Sequence, residues 1–271
     1  MKQYLYRLFQ WLTKGIPVVK VPVTIVTNSD KRLSGRKILV TGGSSGIGRH
    51  IAKQCVDNGA EVVIVGRDEE KLRTAADEIG CRYISYDLTN IAALPDLVSK
   101  AAEMLSGLDG LVNNAGKCNI DGGFLNVTTE SYDEQFLLNT KSPFFLTQAF
   151  LKHIEQSGVG RSSVVFILSE RGLYPDDAPY GMTKAAMGNI IPGIARQFAT
   201  RGVHINGIAP GVVASTDKDE RIMLDAYLKG AVSKRYVMPE EVAETAVWLL
   251  SDESQSVSGQ IIAVNQSNHL K

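Results

Sequence analysis

"KILVTGGSSGIGRHIAKQ", Lys37 to Gln54, reads as a buried strand, a glycine-rich turn and the opening of a helix. The apolar run over 37–41 stops at Gly42, and Gly46 and Gly48 stand where the helical stretch begins. Small residues there permit a tight turn and let a pyrophosphate approach the backbone at a helix N-terminus. A glycine cluster alone can be an ordinary turn. The strand–turn–helix context is what gives this one a dinucleotide reading.

The same alternation continues along the chain. "EVVIVG" (61–66) precedes "DEEKLRTAADEIG", and "CRYISYD" (81–87) precedes a helix beginning near Asn90. "LDGLVNNAG" (108–116) leads into a long helical region through Phe150, and "SSVVFILS" (162–169), "GVHINGIAP" (202–210) and "GQIIAVN" (259–265) complete the series. Apolar runs without strict alternation predict strands buried on both faces of a parallel sheet. Strands alternating with helices predict an α/β, doubly wound architecture. With no internal repeat and no low-complexity linker, residues 33–271 are expected to form a single domain.

Composition narrows the function. The 271 residues are 44% hydrophobic and 21% charged with zero formal net charge, which suits a globular protein with a large core and excludes a generally basic nucleic-acid binder. Three cysteines without paired spacing fit a reduced, cytoplasmic setting. Four scattered histidines form no ligand cluster, so no metal is expected. No apolar run reaches the roughly 20 residues a spanning helix needs.

In "DDAPYGMTKAAM" (176–187), Tyr180 and Lys184 stand four apart and share a helix face. A nearby ammonium favours the ionised phenol, so the pair suggests a tyrosine acting as acid or base near neutral pH. With nine tyrosines and 29 Lys+Arg, about one such spacing arises by chance, so the surroundings must carry the argument.

Those surroundings carry a resemblance. Thr-Gly-x3-Gly-Ile-Gly (41–48), "DLT" (87–89), "NNAG" (113–116), Tyr-x3-Lys, and "PG" (210–211) followed by Ser215 occur in one order. Together they resemble the short-chain dehydrogenase/reductase family from about Leu33 to Val264. The resemblance implies a Rossmann-type sheet and hydride transfer between a nicotinamide and a carbonyl or secondary alcohol. It implies catalytic roles for Asn139, Ser169, Tyr180 and Lys184: Tyr180 the general acid/base, Lys184 tuning it and holding the nicotinamide ribose, Ser169 holding the substrate oxygen, and Asn139 positioning a relay water. Cofactor contacts fall to Thr41, Gly42, Ser44, Ser45, Gly46, Ile47 and Gly48, to Arg67, Asp87 and Leu88, to Asn114, Ala115 and Gly116, and to Pro210, Gly211, Val213 and Ser215, besides Tyr180 and Lys184. A homo-oligomer acting on a small molecule is also implied.

The end of the second strand bears on the cofactor. Gly66 stands where a carboxylate would bind the ribose hydroxyls of NAD(H), and Arg67 follows. Asp68 opens "DEEKL" and reads as a helix cap. Arg67 therefore favours NADP(H) over NAD(H). Two departures stand out: Ser169 precedes Tyr180 by only 11 positions, and the end reads "VNQSN" where many relatives have Val-Asp-Gly-Gly. The alternative is a nucleotide-binding scaffold or regulatory subunit that keeps the fold without turnover. A 3-oxoacyl-type reductase and a sugar or polyol dehydrogenase stay equally open.

Residues 1–32 lie outside the resemblance. In "MKQYLYRLFQWLTKG", Leu5, Leu8, Phe9 and Leu12 form an apolar stripe at helical spacing, with a proline-extended arm after it. Seven positive charges before residue 37 face Asp30 alone. The stripe at residues 2–14 could lie on an anionic membrane surface; packing against protein is favoured, because so little apolar surface gives only modest interfacial affinity.

Overall fold

Burial along the strands sets the architecture. β1 (Lys37–Thr41) is buried from Ile38 onward, β2 (Glu61–Gly66) from Val62 to Val65, and β5 (Ser162–Ile167) throughout. Strands covered on both faces belong to a parallel sheet with helices on each side. The computed structural model, which describes residues 31–119, 122–214 and 226–270, has this arrangement. β3 (Arg82–Ser85), β4 (Gly110–Asn113), β6 (Val203–Pro210) and β7 (Ile261–Val264) complete a seven-stranded sheet of order β3-β2-β1-β4-β5-β6-β7. Every pairing is parallel, with Val40 beside Ile64 on one side and Val112 on the other. The fold is the doubly wound Rossmann-type sheet that the sequence predicts.

Successive strand residues feed two cores. Ile38 and Val40 join the layer formed by α1 (Gly46–Asp57), α2 (Glu69–Ile79) and α7 (Pro239–Leu250). Leu39 joins the opposite layer, formed by α3 (Leu94–Leu105), α5 (Ser142–Ser157) and α6 (Pro179–Phe198). The order reverses between β1 and β4, whose connections leave in opposite directions. A crevice therefore opens at their carboxyl ends, where ligands bind in such sheets.

Helix boundaries follow local chemistry. Asp68 caps α2, accepting from the Lys71 N–H at 3.1 Å, with Glu69 and Glu70 in the first turn. The helix expected near Asn90 starts instead as a 3-10 turn over Ile91–Ala93, and α3 follows with Pro95 in its first turn. The long helical region before Phe150 divides into α4 (Thr129–Phe136), a π turn over Leu137–Lys141, and α5. Pro143 supplies the reason: lacking an N–H, it cannot close the α-helical bond to the Asn139 carbonyl. Such π turns recur at functional positions.

The amphipathic stretch 2–14, its membrane alternative and Ser215 lie outside the described residues. Among the described residues no helix is long and apolar enough to cross a membrane.

Phe150, fully buried between α5 and the sheet, anchors the α3–α5–α6 layer. Phe150→Ala is expected to cost about 3–5 kcal/mol of unfolding free energy. Urea denaturation followed by circular dichroism measures it, with the midpoint falling and the slope unchanged.

Candidate active site

The glycine loop is fastened to the neighbouring strand. The Thr41 hydroxyl donates to the Val112 carbonyl at 3.2 Å and accepts from the N–H groups of Asn114 (2.9 Å) and Ala115 (3.0 Å). The Asn114 amide donates back to the carbonyls of Thr41 (2.9 Å) and Gly42 (3.2 Å). Gly42 has φ +65°, and a Cβ there would stand 2.9 Å from Asn114 Nδ2 and 3.0 Å from Ala115 Cα. A Cβ on Gly48 would strike the Gly42 carbonyl and the same amide. The turn therefore requires glycine at both positions. α1 opens after Ser45 with no side-chain cap and no acidic residue in its first turn, leaving its N–H groups and positive dipole end open to a phosphate. These residues fit a dinucleotide pyrophosphate.

The residues expected on the adenine side lie at the ends of β2 and β3. A Cβ on Gly66 would lie 3.7 Å from Ser44 Oγ, so Arg67 leaves the strand beside the glycine loop, with its guanidinium exposed. Asp87 folds back on itself, accepting from the Thr89 N–H (3.0 Å) and hydroxyl (2.8 Å), and Leu88 is buried. The Thr89 bonds hold the Asp87 carboxyl below its ordinary range, with a smaller contribution from the Arg67 charge. Asp87 and Arg67 are thus electrostatic neighbours. Among the described residues the Arg67 guanidinium takes part in no ion pair.

The four residues expected to be catalytic converge beside this crevice. Asn139, 2% exposed, sits in the π turn; its amide accepts from the Lys117 N–H and donates to the Lys117 carbonyl, both at 2.8 Å, and reaches Thr183 Oγ1 at 3.2 Å. Thr183 in turn donates to the Tyr180 carbonyl at 2.7 Å. Tyr180 and Lys184 lie in the first two turns of α6, with Lys184 Nζ 5.6 Å from the Tyr180 ring centroid. Lys184 Nζ donates to the Ile167 carbonyl at 2.9 Å. Ser169 follows β5, its hydroxyl accepts from the Arg171 N–H at 3.3 Å, and it lies close enough to Tyr180 to lower the cost of ionising the phenol. Gly116 closes the group: a Cβ there would stand 3.2 Å from Asn139 Oδ1 and 3.4 Å from Lys184 Nζ.

The electrostatics differ from the sequence expectation. Burial pushes the Tyr180 phenol up to about 12, Cys118 adds to the rise, and the Ser169 hydrogen bond and the Arg171 charge oppose it. Lys184 does not offset this, because it is itself buried, 6% exposed, and is pushed down to about 8 by that burial, with Cys118 opposing. Tyr180 therefore holds its proton at neutral pH, the form a general acid needs.

Some of the site had no sequence motif. The short Ser169–Tyr180 connection is braced by Arg171, whose fork grips Asp176 at 2.5 and 2.6 Å. Asp176 also accepts from the Ala178 N–H at 3.2 Å and fills the space a Cβ on Gly181 would need. Gly172 lets this turn touch α6, where a Cβ would meet Ala185 N at 2.9 Å. Beside Ser169 the buried Glu170 takes hydrogen bonds from Asn265 (3.1 Å) and from Asn268 (2.8 and 3.0 Å), tying in the chain's end. Pro210 ends β6, Gly211 lies against Asn265, and Val213 forms a parallel bridge with Val237. A cavity of about 850 Å³ opens over Ser169, lined by Glu170, Tyr174, Asp177, Leu228 and Asn268 among others.

With this geometry in view, comparison with known proteins identifies the class. A family model described as enoyl-(acyl carrier protein) reductase matches residues 42–266. Gluconate 5-dehydrogenase of Gluconobacter oxydans is 32% identical over 243 residues, covering 86% of this chain and 94% of that protein. A 3-oxoacyl-(acyl-carrier-protein) reductase of Rickettsia felis is 33% identical over 242 residues, covering 86% and 96%. A crystal structure of a short-chain dehydrogenase from Burkholderia cenocepacia in complex with NADP superposes with a TM-score of 0.77 at 27% identity, covering 87% of this chain and 98% of that one. The chain belongs to the short-chain dehydrogenase/reductase family and is an oxidoreductase of that type. Members of the family bind nicotinamide cofactors and act on small molecules.

Lys184 gives a pH test. Its amine is ordinarily half-protonated at 10.5 and here at about 8, so folding disfavours the charged form. That penalty is present in full below about pH 8 and disappears as pH rises toward 10.5. Lys184→Met is expected to raise the stability of the cofactor-free protein at pH 7 on the order of 1 kcal/mol, part of the gain being offset by the orphaned Ile167 carbonyl. Thermal denaturation at pH 7 and pH 9.5 checks the sign: the variant's advantage shrinks at the higher pH.

Proposed function

We propose that the protein transfers hydride between NADP(H) and a carbonyl or secondary alcohol, with residues 33–271 acting as one dinucleotide-binding oxidoreductase domain behind the extension at 1–32. The observation that carries this reading is the convergence of Ser169, Tyr180 and Lys184 on one spot at the carboxyl end of β5, beside the glycine loop. The nicotinamide, when bound, supplies the hydride. Glycines 42, 46 and 48 and the open end of α1 would hold the pyrophosphate, with Thr41, Ser44, Ser45 and Ile47 completing that loop. Asn114, Ala115 and Gly116 would form the opposite wall and Pro210, Gly211 and Val213 would flank the nicotinamide end; Ser215, proposed from the sequence for the same role, lies outside the described residues.

In reduction, Ser169 hydrogen-bonds the substrate carbonyl oxygen and Tyr180 gives that oxygen its phenolic proton. In oxidation the same phenolate oxygen takes the proton back, so the cost of ionising a buried phenol must be lowered at that moment. The Ser169 hydroxyl, which already opposes the rise at Tyr180, would stabilise that phenolate, and Lys184 would hold the ribose. Asn139 holds the Lys117 loop against α6, and the carbonyl freed by Pro143 is the group on which a relay water would rest. Arg67, in no ion pair among the described residues and placed at the end of β2, favours the 2′-phosphate of NADP(H) over NAD(H). Half-exposed Phe144 and Phe145 on α5, with Tyr132 on α4, support association into a homo-oligomer.

Tyr180→Phe is expected to lower turnover by about 10²–10⁴-fold while leaving NADPH binding intact. Stopped-flow absorbance and NADPH fluorescence titration measure the two separately; a variant that turns over normally would overturn the assignment. Arg67→Ala is expected to weaken NADPH binding by about 10- to 100-fold and leave NADH binding nearly unchanged, the loss expected for a charge-assisted contact. The same fluorescence titration with each cofactor reads it.

A further inference from the structure

The cavity over Ser169 has an uneven charge. Among the described residues lining it, Glu170, Asp176 and Asp177 face one cation, Arg171. That cation is already spent, because its fork is closed on Asp176. Glu170 is 5% exposed and takes part in no ion pair among the described residues. Its oxygens instead take three N–H···O contacts from the neutral amides of Asn265 and Asn268. Amides fix the direction of the carboxylate and relieve part of its desolvation, but they cancel none of its charge. Asn268 also lines the cavity, so the restrained carboxylate forms part of the wall nearest Ser169.

A fixed, unpaired negative charge at a partly dry wall acts strongly on whatever enters, since screening there is weak. Among the described residues lining the cavity, a substrate carboxylate or phosphate would meet repulsion and no guanidinium or ammonium free to answer it. A hydroxyl or ammonium would supply the donors that the remaining lone pairs of Glu170 and the rim carboxylate of Asp177 accept. At about 850 Å³ the cavity holds a small molecule with room for such a group beside the reacting carbon.

We propose that this cavity selects carbonyl substrates bearing hydroxyl or ammonium donors and rejects those bearing a carboxylate or phosphate, with Glu170 as the specificity-determining residue. The proposal rests on the reading of Ser169 and Tyr180 as the reacting end of the cavity. It separates this chain from its relative gluconate 5-dehydrogenase, whose name is that of a sugar acid.

Three methyl ketones that differ only in the terminal group test it: hydroxyacetone, aminoacetone and acetoacetate. The full chain saturated with NADP⁺ is titrated with each by calorimetry, and NADPH oxidation is followed with each in parallel. Hydroxyacetone and aminoacetone are expected to outperform acetoacetate by about tenfold or more, because like-charge juxtaposition is costly. Glu170→Gln is expected to narrow that gap through tighter acetoacetate binding, and Asp177→Asn, on the exposed rim, to narrow it less. Because Asp177→Asn leaves the buried wall intact, it stands in should Glu170→Gln fail to fold. Acetoacetate binding as well as the other two, an unchanged gap in both variants, or no measurable binding of any of the three overturns the proposal. A preference seen in binding without turnover of any ketone would sink the hydride-transfer reading and leave the charge selection standing; turnover without preference would do the reverse.

Discussion

A single cross-link across the point where the sheet reverses direction governs the site. The Thr41 hydroxyl and the Asn114 amide exchange hydrogen bonds between the ends of β1 and β4, so the glycine loop and the "NNAG" segment move as one piece. Gly42 and Gly48 are glycine because this fastening leaves no room for a side chain. Gly116, on the continuation of the same segment, then brings Asn139 and Lys184 within a methyl's width of the cofactor crevice. The floor of the candidate site is therefore set by backbone proximity, and the side chains proposed to do chemistry stand on it.

Legibility in the sequence tracks distance along the chain. β1 and β2 have the expected boundaries because a buried parallel strand writes its burial as an unbroken apolar run, and Asp68 caps α2 because a cap is a matter of three residues. Tyr180 and Lys184 share a face because four residues make one helical turn. The π turn at Asn139 was written in Pro143, four residues on, although a run of helix formers conceals it. Glu170 with Asn268 was not legible: 98 residues separate them, and only the assembled sheet brings β7 and its tail beside the end of β5. The electrostatics at Tyr180 were hidden for the same reason, since spacing gives the proximity of an ammonium but not how deeply both groups are buried.

Two charges that the fold would be more stable without sit on either side of Ser169. Lys184 is an ammonium with a carbonyl for its partner, and Glu170 is a carboxylate with amides for its partners. Neither arrangement neutralises the charge it holds, and each leaves a field directed at the same small volume. Burying unpaired ions costs stability and is tolerated where it does chemistry or selection. The Arg171–Asp176 fork makes the opposite choice, closing its charges on one another so that the short turn it braces stays rigid.

Asn265 and Asn268 lie within the last seven residues of the chain, yet they hold a carboxylate adjacent to Ser169. During synthesis the whole sheet up to β6 can emerge and pack while these residues are still inside the ribosome. The wall beside Ser169 is thus completed by residues translated after all seven strands, so a copy nicked before Asn265 keeps Ser169, Tyr180 and Lys184 together but leaves Glu170 without its amide partners.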